Sequence, residues 1–364
     1  MIGLLKAILI ILSVFYAGSI LYLIRGLFRK YPASNSKIHR FTVIIPGHNE
    51  EMSIAACLES IAAQDYPEDM FEVIVVDDRS TDYTFRIADE FCRSRMDFRC
   101  LRIEEAAGVV PKKTAISWAV SESTGEIIIT TDADCIVSPR WLTAINSYYT
   151  DKVGLVAGHV TYNKPSSLME GIDAIDYFSH RAMGAAFIGV GSAYTCTSAN
   201  LSYRKNIFLK AEKEFKSLGV RPADDNFMLN FVHRKTGYDV AVADDERSFA
   251  RTPGARNFMH FLDQRFRWAA YGQGGGKGMM SFFVPMLSYY VILWLSVAAA
   301  FFDYPMIGLL GASLLLKLIT DFIFMLKSTS VFGSRGLLKY FLQAWLINLM
   351  MVPVVVFKGN LAGF

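Results

Sequence analysis

The stretch FTVIIPGHNEEMSIAACLESIAAQDYPEDMFEVIVVDD, residues 41–78, decides the fold. Two runs rich in β-branched residues, 41–46 (FTVIIP) and 71–76 (FEVIVV), flank a segment with helical spacing over roughly 50–63. Unbroken apolar strands of this length belong to a parallel sheet buried on both faces, where polar alternation is absent. The unit repeats downstream, with a helix at about 81–95, a strand at 98–103, a helix at 112–122 and a strand at 126–131 (EIIITT). Strands alternating with helices predict an α/β domain, a mostly parallel sheet with helices on both faces.

In such sheets ligands bind beyond the carboxyl ends of the strands. Polar clusters fall there three times: His48-Asn49-Glu50 after the first strand, Asp77-Asp78 after the second, and Asp132-Ala133-Asp134 after the fourth. A bent Asp132-x-Asp134 offers one carboxylate to a hard cation such as magnesium or manganese, and the other to a ribose hydroxyl or a bridging water. The plain alternative is a solvated loop pair. No GxxxxGK[ST] phosphate loop is present, and the run GQGGGKG at 272–278 follows a helical pattern, so it reads as a flexible joint.

Asp224-Asp225 opens DDNFMLNFVHRKTG, whose apolar stripe is Phe227, Met228, Phe231 and Val232. Carboxylates at a helix start are stabilised by free backbone amides, so capping competes with catalysis as the explanation. Asp224 is read as the cap. Asp225 is read as the candidate general base, which must lie within hydrogen-bond reach of an acceptor hydroxyl. In QRFRW, residues 264–268, the Arg267 guanidinium suits a diphosphate and Trp268 suits a sugar ring. The surrounding stretch from Phe258 to Tyr271 also has the composition of an interfacial helix that merely anchors.

The chain has 364 residues, 52% of them hydrophobic, and the apolar excess sits at its two ends. A net charge of +3 is too small for a nucleic-acid binder. Five scattered cysteines without a CxxC pair exclude a disulfide framework and a structural zinc site. Residues 2–24 suit a spanning helix of about 20 residues. Arg25, Arg29 and Lys30 follow with no small-residue cleavage site, favouring a retained anchor over a signal peptide. Three more apolar runs occupy 282–302, 304–326 and 338–357, with Lys327, Arg335 and Lys339 between the last two. Both basic groups place the central domain in the cytosol, as for a multi-pass protein of a bacterial inner membrane. Lys317 and Asp321, four residues apart in the second of these runs, share a helix face and suit a pair.

The motifs VIIPGHNE (43–50), VIVVDDRSTD (73–82), PKKTAISWAV (111–120), TTDADC (130–135), SANLSYRK (198–205), ADDNFML (223–229) and QRFRW occur in one order over about 40–275. Together they resemble the membrane-bound inverting family-2 glycosyltransferases of the GT-A fold, the branch of hyaluronan, chitin and cellulose synthases and ceramide glucosyltransferases. The resemblance implies an anchor at 1–25, a GT-A domain at 38–255, an interfacial helix and joint at 256–280, and three transmembrane helices at 281–364.

It also implies roles. Pro46, His48 and Glu50 line the nucleotide end, and Asp78 or Asp77 accepts from a uracil ring. Lys113 lies near the donor phosphates, Asp132 faces the nucleotide sugar, and Asp134 is the main ligand of a magnesium or manganese ion. Asn200 belongs to the loop beneath the acceptor, and Asp225 is the general base. Gln264, Arg267 and Trp268 close the pocket. Ala223-Asp224-Asp225 replaces the more usual Glu-Asp or Gly-Asp-Asp, and Trp118 replaces the asparagine usual five residues after Lys113.

The expected activity is metal-dependent transfer from a UDP-sugar to a membrane lipid or lipid-linked glycan. Three C-terminal spans are fewer than those of the large polysaccharide synthases, which favours a lipid acceptor, or secretion through an export partner or a homo-oligomer. A processive polysaccharide synthase shares every site residue and is the alternative. A non-catalytic scaffold is the third reading, disfavoured because every acidic position is intact.

Overall fold

The computed structural model describes residues 2–104, 111–217, 224–255, 257–271 and 277–361. Ala223 and most of the glycine-rich joint lie outside these residues. The chain divides into two compact units, Lys30–Lys164 with Ser192–Gly254, and Met1–Arg29 with Pro165–Gly191 and Ala255–Phe364. In chain order the elements begin with α1 (Ile2–Gly26), β1 (Phe41–Gly47), α2 (Ile54–Ala62), β2 (Phe71–Asp78), α3 (Thr84–Arg93), β3 (Phe98–Ile103), α4 (Pro111–Glu122) and β4 (Ile127–Thr130). They continue with β5 (Ile136–Val137), α5 (Trp141–Asn146), β6 (Val153–Ala157), β7 (Val160–Tyr162), α6 (Leu168–Gly189), β8 (Leu201–Arg204), α7 (Lys205–Ser217) and α8 (Asp224–Lys235). The last are β9 (Asp239–Val242), β10 (Ala250–Thr252), α9 (Phe258–Tyr271), α10 (Lys277–Ala300), α11 (Tyr304–Val331) and α12 (Phe341–Leu361).

The α/β unit holds a seven-stranded sheet in the order β3-β2-β1-β4-β8-β6-β9. The first four strands are parallel, and β8 alone runs antiparallel to its neighbours. Val43, Ile44, Val73, Ile74, Val75, Ile127, Ile128 and Ile129 are wholly buried, so both faces of the sheet are covered. Because β8 is reversed and pairs Leu201 with Thr130, its start lies at the same edge as the carboxyl ends of β1, β2 and β4. The ends of β6 and β9 fall there too, since Ala157 pairs with both Leu201 and Val242. A small sheet, β5-β10-β7, follows the acidic turn after β4.

Among the described residues, the second unit contains four helices long and apolar enough to cross a membrane: Ile2–Gly26, Met280–Ala300, Tyr304–Val331 and Arg335–Val355. Lys6 pairs with Asp303 at 2.6 Å, so the turn between α10 and α11 meets the start of α1. Lys327 lies 3.7 Å from the Phe28 ring, which brings the basic groups after α1 and α11 to the opposite end. Lys317 and Asp321 do pair, at 2.5 Å. Tyr16 and Trp345 also donate to Asp321, at 2.8 and 2.9 Å, so three helices share one buried charge pair.

Helix α6 differs from the expected single domain 38–255, because it groups with the apolar helices. The cause is close packing by small residues. Gly26 of α1 lies against Ala186 and Gly189 of α6, and an added methyl group would overlap the Ala186 carbonyl. At Gly18 of the same helix an added methyl meets nothing within 4 Å. Gly26→Val is therefore expected to destabilise the unit by about 1–3 kcal/mol, with Gly18→Val near neutral. Thermal melts in detergent check this, and equal midpoints for the two variants would contradict the close approach.

Candidate active site

Two loops, after β1 and after β2, are stitched side by side at the common edge of the sheet. His48 Nδ1 hydrogen-bonds to the Asp78 carbonyl at 2.6 Å. Asn49 adopts φ 57°, a left-handed conformation that asparagine tolerates. Its side-chain oxygen accepts from the Thr81 amide at 2.9 Å, and its own amide donates to Ser80 Oγ at 3.0 Å. The Glu50 amide donates to Thr84 Oγ1 at 2.6 Å, while the Glu50 carboxylate accepts from Ser53 at 2.8 Å. Arg79, at φ 56°, holds a conformation that is costly for a residue with a Cβ, and its Nε donates to Asp78 Oδ1 at 2.9 Å. His48 and Glu50 thus build the loops. Asp77 is wholly buried opposite Gly47, and among the described residues neither carboxylate oxygen accepts a hydrogen bond. The Arg102 Nε lies 3.5 Å away. Pro46 is half-buried in β1.

The acidic turn after β4 is half-buried at both Asp132 and Asp134. Thr252 of β10 donates to Asp134 Oδ2 at 3.1 Å, a partner that no pattern in the sequence marks. Burial pushes the Asp134 carboxyl above its ordinary range, and the negative charge of Asp132 pushes it further. A divalent cation relieves both effects, and two hard carboxylate oxygens are the donors that magnesium and manganese take. The residues present therefore fit such an ion. Among the described residues no group of three or more potential protein ligands converges. A cation held here would complete its shell with substrate phosphate and water. The buried thiols of Cys57 and Cys135 flank the turn and are pushed well above the usual range, chiefly by burial, so they stay protonated.

Thr130 Oγ1 donates to the Ser198 carbonyl at 2.6 Å, which ties the end of β4 to the turn before β8. The amide of that same Ser198 donates to Asp225 Oδ2 at 3.2 Å, and the Asn226 amide donates to Oδ1 at 2.6 Å. Two backbone donors thus orient the Asp225 carboxylate at the first turn of α8. Asp224 is the first described residue of the helix, and the residues just before it lie outside those described. Lys113 of α4 is 3% exposed. Burial pulls its ammonium below the usual lysine range, against an opposing pull from Asp224. Trp118, in the place of the family's asparagine, is 37% exposed.

Asn200 departs from its expected role. It is 1% exposed, and its whole amide is used within the protein. Oδ1 accepts from Trp141 Nε1 at 3.1 Å, and Nδ2 donates to the carbonyls of His159 and Ser248 at 2.9 and 2.8 Å. It ties the start of α5 to the segments at His159 and Ser248. Asn200→Ala removes the partner of the Trp141 indole and of the Ser248 carbonyl, while the His159 carbonyl keeps the Ala250 amide, and it is expected to cost about 2 kcal/mol. The melting midpoint in detergent should fall clearly. An unchanged midpoint with a raised acceptor KM would return Asn200 to the acceptor.

Gln264, Arg267 and Trp268 lie on α9, in the other unit. Arg267 is exposed. Gln264 accepts from its neighbour Arg265 at 3.1 Å. The buried residue of the motif is Arg265, which sequence reasoning passed over. Its guanidinium lies 2.6 Å from carboxylate oxygens of both Asp173 and Asp176 on α6. Burial pushes Asp176 up, yet Arg265, with His180 and Asn348, outweighs it and holds the carboxyl below its usual range.

The model of glycosyl transferase family 2 matches residues 42–208, and that of glycosyl transferase family group 2 matches 127–358. Glycosyltransferase AglE of Haloferax volcanii is 32% identical over 126 residues, 34% of this chain and 40% of that protein. Hyaluronan synthase of Streptococcus pyogenes is 26% identical over 261 residues, 67% of this chain and 60% of that one. The chain thus spans between 40% and 60% of the length of these curated relatives. Among solved structures, the mannosyltransferase PcManGT from Pyrobaculum calidifontis, in complex with GDP-Man and Mn2+, has the same fold. Its TM-score is 0.59 at 19% identity, over 99% of this chain and 98% of that one. With acidic groups gathered at one sheet edge and a family match running from β4 through QRFRW into the apolar helices, the chain belongs to glycosyl transferase family group 2 and is a family-2 glycosyltransferase of the GT-A fold.

Proposed function

We propose that the protein transfers a sugar from a nucleotide-sugar donor to a membrane-associated acceptor, a lipid or lipid-linked glycan, by single displacement with inversion at the anomeric carbon. The observation that carries the proposal is the common edge. Asp132 and Asp134 end β4, and Asp225 is held by the turn that Thr130 of β4 also holds. Donor-holding and proton-accepting carboxylates are thereby anchored to one rigid strand. The four apolar helices support a membrane acceptor. The basic residues beside α1 and α11 support a cytosolic catalytic unit.

Asp225 accepts the proton of the attacking hydroxyl, its carboxylate oriented by the Ser198 and Asn226 amides. The nucleotide end falls to the stitched loops of His48, Asn49, Glu50, Asp77 and Asp78. Asp132 and Asp134 would hold a magnesium or manganese ion, which supplies charge neutralisation to a departing diphosphate. Lys113 provides positive charge near the start of α8, and the motif assigns Arg267 to the diphosphate and Trp268 to stacking on the acceptor sugar. Fixed positive groups aimed at developing charge are the main source of such catalysis. We read the donor as a UDP-sugar, as the resemblance to the family implies, with Asp78 or Asp77 accepting from the uracil ring. The structural relative in complex with GDP-Man and Mn2+ makes GDP-mannose the necessary comparison.

A second reading is processive synthesis of a polysaccharide such as poly-N-acetylglucosamine or hyaluronan, supported by similarity to hyaluronan synthase over 67% of this chain. The test is nucleoside diphosphate release by the detergent-purified protein. The donors are UDP-glucose, UDP-galactose, UDP-N-acetylglucosamine, UDP-glucuronate and GDP-mannose, with manganese or EDTA, and with or without lipid extract. Metal-dependent release that requires lipid supports the lipid acceptor, and a ladder of long products supports the synthase. Silence with every donor and acceptor contradicts both.

A further inference from the structure

We propose that Arg265 is a positioning residue for Trp268, and that Asp176 and Asn348 extend its control to α12, so that the apolar bundle sets the attitude of the aromatic ring. The proposal rests on the reading of Trp268 as the residue that stacks on the acceptor.

Positions 261, 264, 265 and 268 recur at helical spacing and form one face of α9. On a helix beside apolar partners that face should be apolar, yet its centre is an arginine only 5% exposed. A buried arginine between two carboxylates gives no advantage in stability over well-packed apolar residues. Its geometry is what apolar residues lack. The Arg265 Nε donates to Asp176 Oδ2 at 2.8 Å, and Nη2 reaches both Asp173 and Asp176 at 2.6 Å. The fork thus fixes the guanidinium plane against α6. That plane then lies 3.9 Å from the Phe261 ring centre and 4.7 Å from the Trp268 ring centre.

The Trp268 ring also meets Tyr177 and His180 of α6, at 5.5 and 5.8 Å between ring centres. Its orientation is therefore set by α6 and by an arginine that α6 itself holds. The connection continues outward. The other carboxylate oxygen, Asp176 Oδ1, accepts from Asn348 Nδ2 at 2.8 Å. Asn348 lies within the apolar span Arg335–Val355, where a polar side chain without a task is rare. One chain of hydrogen bonds and stacking thus runs Asn348–Asp176–Arg265–Trp268, from an apolar helix to the motif ring. A lysine at 265 keeps the charge but lacks the planar fork that spans two carboxylates and stacks.

The test uses full-length protein in detergent with Arg265→Lys and Asn348→Leu, each alone and combined with Trp268→Ala. The chain has five tryptophans, so the emission of Trp268 is isolated by subtracting the spectrum of the matching Trp268→Phe protein. Both variants are expected to shift that emission to the red. They should raise the acceptor KM by about tenfold, measured with the lipid extract or oligosaccharide that supports turnover, and leave the donor KM unchanged. In the Trp268→Ala background neither should add a further loss, because both act through the missing ring. Unchanged Trp268 emission in both variants, or an equal additional loss without the ring, overturns the proposal. A Trp268→Ala protein with unaltered acceptor KM overturns the stacking role instead, and the emission shift still decides whether Arg265 positions the ring.

Discussion

Asp225→Asn is expected to lower sugar transfer by about 10³-fold while donor binding stays nearly unchanged. A positioned base contributes about 10²–10⁴ to such a step, and an amide cannot take the proton of an acceptor hydroxyl. The substitution is nearly isosteric, so the start of α8 should persist. An asparagine offers one carbonyl oxygen where the carboxylate serves both the Ser198 and Asn226 amides. One of those amides loses its partner, a cost of about 1 kcal/mol. Single-turnover transfer, with nucleotide binding measured on the same protein, separates the two effects. Turnover near that of the unaltered protein would remove Asp225 from the role of base.

Asp134→Asn is expected to abolish metal-dependent donor binding and, without metal, to stabilise the protein at neutral pH. The second effect follows from the direction of the shift. Burial first, then Asp132, holds the Asp134 carboxyl above its ordinary value. A carboxyl raised in the folded state favours folding fully below its unfolded value, about 3.9. That contribution disappears as pH rises through the folded value, so at neutral pH the ionised group weighs against the fold. Asparagine removes the charge and can still accept from Thr252. The metal-free midpoint should rise by roughly 1–3 °C at pH 7 and by less as pH falls toward the unfolded value. Manganese should raise the midpoint of the unaltered protein and leave the variant's unchanged. An equal manganese response in both would move the cation elsewhere.

What the sequence made legible was whatever is local. The strands at 41–47, 71–78 and 127–130 are rich in β-branched residues, and that pattern needs no tertiary knowledge; the strand at 98–103, with Arg99 and Arg102, is legible only from its place in the strand–helix alternation. The acidic pairs were readable because they stand where strands end. Longer-range roles were not. Asn200 takes its three partners from loops at Trp141, His159 and Ser248, and no spacing encodes that convergence. Thr252 looks like any threonine until β10 carries it to Asp134. In α6, Asp173 and Asp176 break the apolar pattern and argue against burial. They are buried because Arg265, some ninety residues on, neutralises them both. The same pairing explains why attention to Arg267 passed over its neighbour, since a buried cation is recognisable only with its carboxylates in view.

The most direct test of the central claim is the stereochemistry of the new bond. The protein is incubated with the donor that supports diphosphate release, carrying a ¹³C-labelled sugar, together with the lipid extract, and the product is followed by NMR. The account predicts a labelled glycoside on an extract component, with anomeric configuration opposite to the donor's and lost on Asp225→Asn. Labelled free sugar alone, or a glycoside of unchanged configuration, would contradict transfer by a single displacement.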